Sequence, residues 1–339
     1  MKNPGWVRLC FSLLFLVSST VLFSQTNTIS QRIDSLLSSQ KPRPLNGVLI
    51  VAQNGKPVYS ASRGFADFST KTPVTMHDQF MIGSVSKQFT AVLVLSEFDK
   101  GNLQLHDPVK KYLPEMQQAW TDSVTIHHLL THTSGLTTLD KPLAFKPGEK
   151  FLYSPLLAYE LLSKIAEKAS GKTYPELITA LFRKCKMKNS TIPALYRKGH
   201  IIPCYTQKSD GVFSPEPYQL DNMKKSTPGG GIISTAKDLS LWNENLHNGK
   251  LLSQKSYALM TDVYAYRPSH RWGKVGYGYG LQISELNNQP ELSHSGAMAG
   301  FISSLIYYPE TKTSVVVIEN VFQDFNFHDD LRKVVNAGQ

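Results

Sequence analysis

Apolar positions along this chain change their period four times. Residues 28–40 (TISQRIDSLLSSQ) place Ile29, Ile33, Leu36 and Leu37 on one side of a helix, and prolines at 42 and 44 end it. The next stretch, GVLIVAQNGKPVYSASRG, is two β-rich runs around Asn54-Gly55, a dipeptide suited to a two-residue hairpin turn. From Ser84 to about Lys100 the spacing is helical again, and Gly101 closes it. About 125–200 reads as helices joined by turn-rich loops, with LAYELLSKIAEKASG as one helix. The last third returns to strands, YGYGLQI, GFISSLIYYP and TSVVVIEN, followed by a short C-terminal helix. Strands at both ends with helices between them predict an α+β protein whose sheet joins distant segments.

The N-terminus departs from this pattern. Lys2 and Arg8 precede an uncharged apolar run, Phe11 to Phe23, which gives way to the polar SQTNT. That is the order of a secretory signal peptide, read here as residues 1–24, with an uncleaved anchor as the alternative. Cys10 precedes the apolar run and is badly placed for lipid attachment. The mature chain, 25–339, is then exported to a periplasmic or extracellular place in a bacterial envelope, with no stable transmembrane span. Losing Lys2 and Arg8 lowers the net charge from +10 to +8, which suits anionic surroundings such as envelope polymers. No lysine/arginine block stands out, so nucleic acid is not an expected partner. Cys185 and Cys204 remain; export permits a disulfide between them, and two partly buried thiols are the other reading. No cysteine/histidine cluster suggests a metal, and no cofactor is expected.

Serine and lysine three residues apart occur at Ser38/Lys41, Ser84/Lys87 and Ser234/Lys237. Ser38/Lys41 ends a helix beside Pro42. Ser234/Lys237 lies in GGGIISTAKDLSLW, where Thr235 and Asp238 fit a capping box that needs no chemistry. Ser84/Lys87, in FMIGSVSKQFTAVLVL, opens a hydrophobic helix after Gly83. Backbone N–H groups there favour negative charge, and residues three apart share a helix face. A lysine shielded from water loses basicity and can act as a base. A capping serine beside a solvated lysine fits the same local residues.

Four further segments follow in order: LLTHTSGL (129–136), KPGEKFLYSPLLAY (146–159), GGGIISTAKDLSLW (229–242) and LSHSGAMAGF (292–301). With GSVSKQFT, the series resembles the beta-lactamase-related serine hydrolase family: class C beta-lactamases, D-alanyl-D-alanine carboxypeptidases and related esterases. The resemblance runs from about residue 30 to 320. It implies a beta-lactamase/transpeptidase-like antiparallel sheet flanked by helices, with sheet parts at about 25–80 and 225–339. A mainly helical subdomain, about 81–224, would be inserted between them. By the same resemblance Ser84 is the nucleophile, Lys87 its activating partner, and Tyr153 a partner in proton transfer whose phenolate nearby cations would favour. His294-Ser295-Gly296 stands in the place of the third motif, with an active-site role for His294. Ser84 and Ala297 supply oxyanion-hole N–H groups, and Ser295 and Gly296 line the substrate. His132, Thr133 and Ser134 read as a structural loop.

Two departures from the family pattern bear on substrate. Tyr153-Ser154-Pro155 has proline where the second motif carries asparagine, so position 155 has no side chain to contact lysine or substrate. Histidine replaces lysine at 294, exchanging a permanent cation for a group largely neutral at pH 7. The sequence therefore points to a hydrolase forming an acyl-enzyme with an ester or amide: a D-amino-acid peptide of the cell-wall type, a carboxylic ester or a beta-lactam. A weakly active or inactive penicillin-recognising sensor on the same fold is the alternative.

Overall fold

The computed structural model describes residues 29–41, 43–197, 201–208 and 211–337. The segment read as a signal peptide lies outside them. The Asn54-Gly55 turn forms as expected, with both residues at positive φ (51° and 74°), and it joins strands Gly47–Gln53 and Lys56–Arg63. The first of these pairs along its length with Thr313–Glu319, so residues far apart in sequence meet as the second and third strands of an eight-stranded antiparallel sheet. From the Lys56–Arg63 edge the order continues through Gly47–Gln53, Thr313–Glu319, Phe301–Tyr308, Gln289–Met298, Gln282–Leu286 and Gly273–Tyr277 to Ala265–His270. Every residue of Phe301–Tyr308 and Thr313–Glu319 is buried, as for strands covered on both faces.

YGYGLQI is not one strand. It ends Gly273–Tyr277 and begins Gln282–Leu286, with a turn at 278–281 closed by Gly278 N–H donating to Leu281 O at 2.9 Å. Gly280 is at φ +69°, where its backbone lies against the Lys87 carbonyl and leaves no room for a side chain.

The helix after Ser84 runs from Ser86 to Asp99, and ten consecutive residues from Ser86 to Leu95 are buried. A helix buried all round is a core helix rather than an amphipathic surface one. Phe89 stacks on Trp242 at 3.7 Å and meets Phe182 edge-on at 5.8 Å, which ties it to the Ala236–His247 and Tyr174–Lys184 helices. Thr235 caps the first of these by accepting from Asp238 N–H, but the Asp238 carboxylate does not close the box. It accepts instead from Asn189 N and Ser190 Oγ. LAYELLSKIAEKASG forms the Leu157–Ser170 helix, ended by Gly171 in the left-handed region.

These elements belong to one compact unit, Leu45–Phe325. The helix at 29–39 and the Asn326–Asn336 helix belong to another, in which Arg32 Nε donates to Val334 O at 3.0 Å. Cys185 and Cys204 are separate buried free thiols, so the disulfide reading does not hold. Cys204 Sγ accepts from Gly300 N–H and donates to Glu216 O. No helix among the described residues is long and apolar enough to cross a membrane.

Candidate active site

Ser84 sits in a tight turn, Gly83–Val85, just ahead of the core helix. The turn is anchored on both sides. Ile82 N–H donates to Ile232 O (3.0 Å), Ser303 Oγ donates to Ile82 O (2.8 Å), and Ile232 N–H donates to Ser86 Oγ (3.1 Å). Gly83 adopts φ +52° directly against the Ala297 backbone, where any Cβ would collide. Glycine is therefore required, and it lets the nucleophile turn lie flat on the Gln289–Met298 strand.

Lys87 follows across the junction of the two helical segments and is fully buried. Its Nζ lies 3.0 Å from Ser84 Oγ, 2.5 Å from Pro155 O and 2.6 Å from Gly229 O. No carboxylate is among its partners in the described residues. Burial, and secondarily the charge of Arg267, holds the amine well below the usual lysine range. A neutral amine has two N–H donors and one lone pair. The two carbonyls can only accept, so they take both donors and direct the lone pair at the Ser84 hydroxyl. Gly229 is glycine for a related reason: a Cβ there would press on the Pro155 carbonyl. The asparagine missing at 155 is thus replaced, for the lysine contact, by a backbone carbonyl.

Tyr153 O–H donates to Ser84 Oγ at 2.8 Å. Lys87 Nζ and Arg267 Cζ each lie 5.1 Å from its ring centre. The Arg267 charge does not make it a phenolate. Burial outweighs it and the Ser84 contact, and pushes the phenol up to about 12. Tyr153 therefore holds its proton at neutral pH and is a donor to the serine.

His294 is placed differently from Ser84, Lys87 and Tyr153, which are mutually in contact. Its ring is buried, with Nε2 3.0 Å from Tyr277 OH and Nδ1 2.7 Å from the Ser295 carbonyl. A carbonyl can only accept, so Nδ1 carries the proton and Nε2 accepts from Tyr277. Burial, with the charge of Arg267 acting in the same direction, holds the ring neutral. No hydrogen bond among the described residues joins it to Ser84, Lys87 or Tyr153. Its neighbours Ser295 and Ala297 have the opposite facing along the strand and are half-buried and exposed. The Ala297 amide nitrogen, opposite Ile302 in register, lies directly against the nucleophile turn, where a Cβ on Gly83 would meet it. The strand on the other side stops at Gln282, opposite Ser293.

Arg267 is the residue that reading the sequence missed. It lies on the edge strand Ala265–His270, on the same face as Tyr277. Pro268 beside it argues against a strand, although an edge strand tolerates proline. Its guanidinium makes no ion pair or hydrogen bond among the described residues.

His132 also does more than pad a loop. It accepts Leu152 N–H on its carbonyl (2.8 Å) and Ser154 N–H on Nδ1 (3.3 Å).

The family model described as Beta-lactamase matches residues 39–339. A penicillin-binding protein of Bacillus subtilis (strain 168) is 26% identical over 85% of this chain and 71% of its own. A beta-lactamase of Escherichia coli (strain K12) is 29% identical over 71% of this chain and 69% of its own. Among solved structures, a penicillin-binding protein homologue from Pyrococcus abyssi superposes with a TM-score of 0.74 at 26% identity, covering 87% of this chain and 73% of that one. The sheet order, the serine–lysine–tyrosine cluster and a match over nearly the whole chain lead to one assignment: the chain belongs to the beta-lactamase family of serine hydrolases.

Proposed function

We propose that this protein is exported after loss of residues 1–24 and that its catalytic domain, 25–339, hydrolyses esters or amides through an acyl-enzyme on Ser84. One observation carries the reading: Ser84 Oγ lies between a buried, neutral Lys87 and a protonated Tyr153. In the first step Oγ bonds to the substrate carbonyl carbon while its proton passes to Lys87. The carbonyl oxygen takes up charge between the N–H groups of Ser84 and Ala297. Such donors contribute about 3 kcal/mol each to the transition state. The leaving group then departs with a proton relayed through Tyr153. Water attacks the acyl-enzyme with Lys87 again accepting a proton, which returns to Ser84 as the acid is released.

The test is intact-mass spectrometry of the mature protein during turnover of p-nitrophenyl acetate. A transient acetyl adduct mapping to Ser84, with sustained nitrophenol release, is expected. Stoichiometric labelling by benzylpenicillin without release would instead favour a sensor.

Arg267 suggests which acyl donors fit. The cation that position 294 lacks is supplied at the site by an unpaired guanidinium, and the relatives are named for penicillin and beta-lactam, whose acyl donors carry a carboxylate. Arg267→Gln is expected to slow acylation by benzylpenicillin about tenfold or more relative to p-nitrophenyl acetate, as loss of one charge-assisted contact would. An equal effect on both reagents would remove this role.

Pro155→Asn tests the other departure. The variant keeps the carbonyl that holds Lys87 and adds an amide at an exposed position. Amide hydrolysis should rise several-fold relative to ester hydrolysis; an unchanged ratio would show that another group already serves the substrate.

A further inference from the structure

Tyr153 belongs to no helix or strand. It lies in an extended segment between Gly148 and Leu156, and yet its hydroxyl must stay on Ser84 Oγ. The chain leading into it is fastened to the HTSG loop by Ala144 N–H to Gly135 O (2.9 Å) and Gly148 N–H to Thr133 O (2.8 Å). The last two fasteners both come from His132. Its carbonyl takes the N–H of the residue before Tyr153, and its ring nitrogen takes the N–H of the residue after.

The ring itself lies 4.5 Å from the Tyr153 ring, with Tyr277 and Tyr159 at 5.0 and 5.4 Å. Three features set His132 apart from an ordinary packed histidine. It adopts φ +58°, unusual for a residue with a Cβ. It is wholly buried. With Nδ1 accepting, the ring proton must sit on Nε2, and that atom has no hydrogen-bond partner among the described residues. A buried N–H left without a partner costs free energy, so the site is not optimised for the histidine alone.

We propose that His132 is a positioning residue for the serine hydrolase reaction, holding Tyr153 by both flanking amides so that its phenol stays on Ser84. The inference rests on the acyl-enzyme reading of Ser84 and Tyr153. His132 touches neither substrate nor the reacting atoms; it acts through the backbone on each side of Tyr153. Only a neutral imidazole can do this, because a second ring proton would occupy the acceptor, and burial keeps the ring neutral.

The test is a double-mutant cycle between position 132 and Tyr153→Phe, with folding checked by circular dichroism and activity read as kcat and KM on p-nitrophenyl acetate. His132→Gly and His132→Asn both tolerate the left-handed backbone, but only asparagine offers an acceptor near the place of Nδ1. His132→Gly is expected to lower kcat about tenfold or more with KM changed less than about threefold. Asparagine should restore most of the loss. In the Tyr153→Phe background the same glycine substitution should cost less than about threefold, because the group it positions is gone. Losses that multiply fully in the double variant, or an asparagine variant no better than glycine, would overturn the proposal. If the glycine variant does not fold, the asparagine variant still decides: kcat within about threefold of wild type is expected, and a loss of about tenfold or more in a folded asparagine variant would overturn the proposal. Wild-type protein that forms no acyl adduct would refute the acyl-enzyme reading itself, an outcome distinct from an additive cycle in an active enzyme.

Discussion

Ser84→Ala is expected to give a folded protein that takes no acyl group from p-nitrophenyl acetate or benzylpenicillin. Its turnover should fall on the order of a thousandfold or more. The nucleophile turn does not depend on the serine side chain for its shape: Gly83, Ile82, Ser86, Ile232 and Ser303 set it through backbone conformation and hydrogen bonds. Ser84 is only half-buried, so the Tyr153 hydroxyl that loses its acceptor is not sealed from solvent. A stability change of about 1 kcal/mol is expected. Thermal melts and intact-mass spectra on one preparation check both halves. An adduct that persists would place the nucleophile at another residue and take the mechanism with it.

Local chemistry made much of this legible in the sequence. Asn54-Gly55 forms the hairpin because both residues tolerate positive φ, and the helix after Ser84 is buried as its apolar run implies. Ser84, Lys87 and Tyr153 stand in recognisable motifs, and their side chains meet in the fold. Three features escaped for physical reasons. Arg267 reaches the site because the sheet carries its strand there, an arrangement no local pattern encodes. Pro155 contributes a carbonyl, which every residue has, so its contribution cannot be read from its side chain. His294 looked like a replacement for a motif lysine, but strand alternation turns its ring inward to Tyr277 and leaves Ser295 and Ala297 facing the other way. The Tyr153 phenol keeps its proton for a related reason: loss of water, which holds it there, is visible only in the fold.

Burial governs Lys87 too, there with Arg267 acting in the same direction, and Lys87→Met is the sharper test of mechanism. Methionine fills a similar volume without a basic amine, so acylation should fall about a thousandfold or more while binding of a non-reacting ligand persists. The stability consequence has a definite sign. The unfolded lysine titrates near 10.5, and burial holds the folded amine well below that value. Between the two, the unfolded chain binds one more proton, so folding stability rises as pH rises through that window. The penalty is fully present below the folded value and is relieved toward pH 10.5. The methionine variant lacks this slope, so the melting temperature of the wild type should gain on that of the variant as pH is raised toward 10. Wild-type kcat/KM should rise over the lower part of the same window, as the amine loses its proton and its lone pair becomes free for the serine. A flat difference in melting temperature would mean that Lys87 is charged in the folded protein. Its three contacts would then be those of an ammonium group, with no lone pair left to accept the Ser84 proton. A methionine variant within tenfold of wild-type activity would independently move the base to another group, with Tyr153 the next to be replaced.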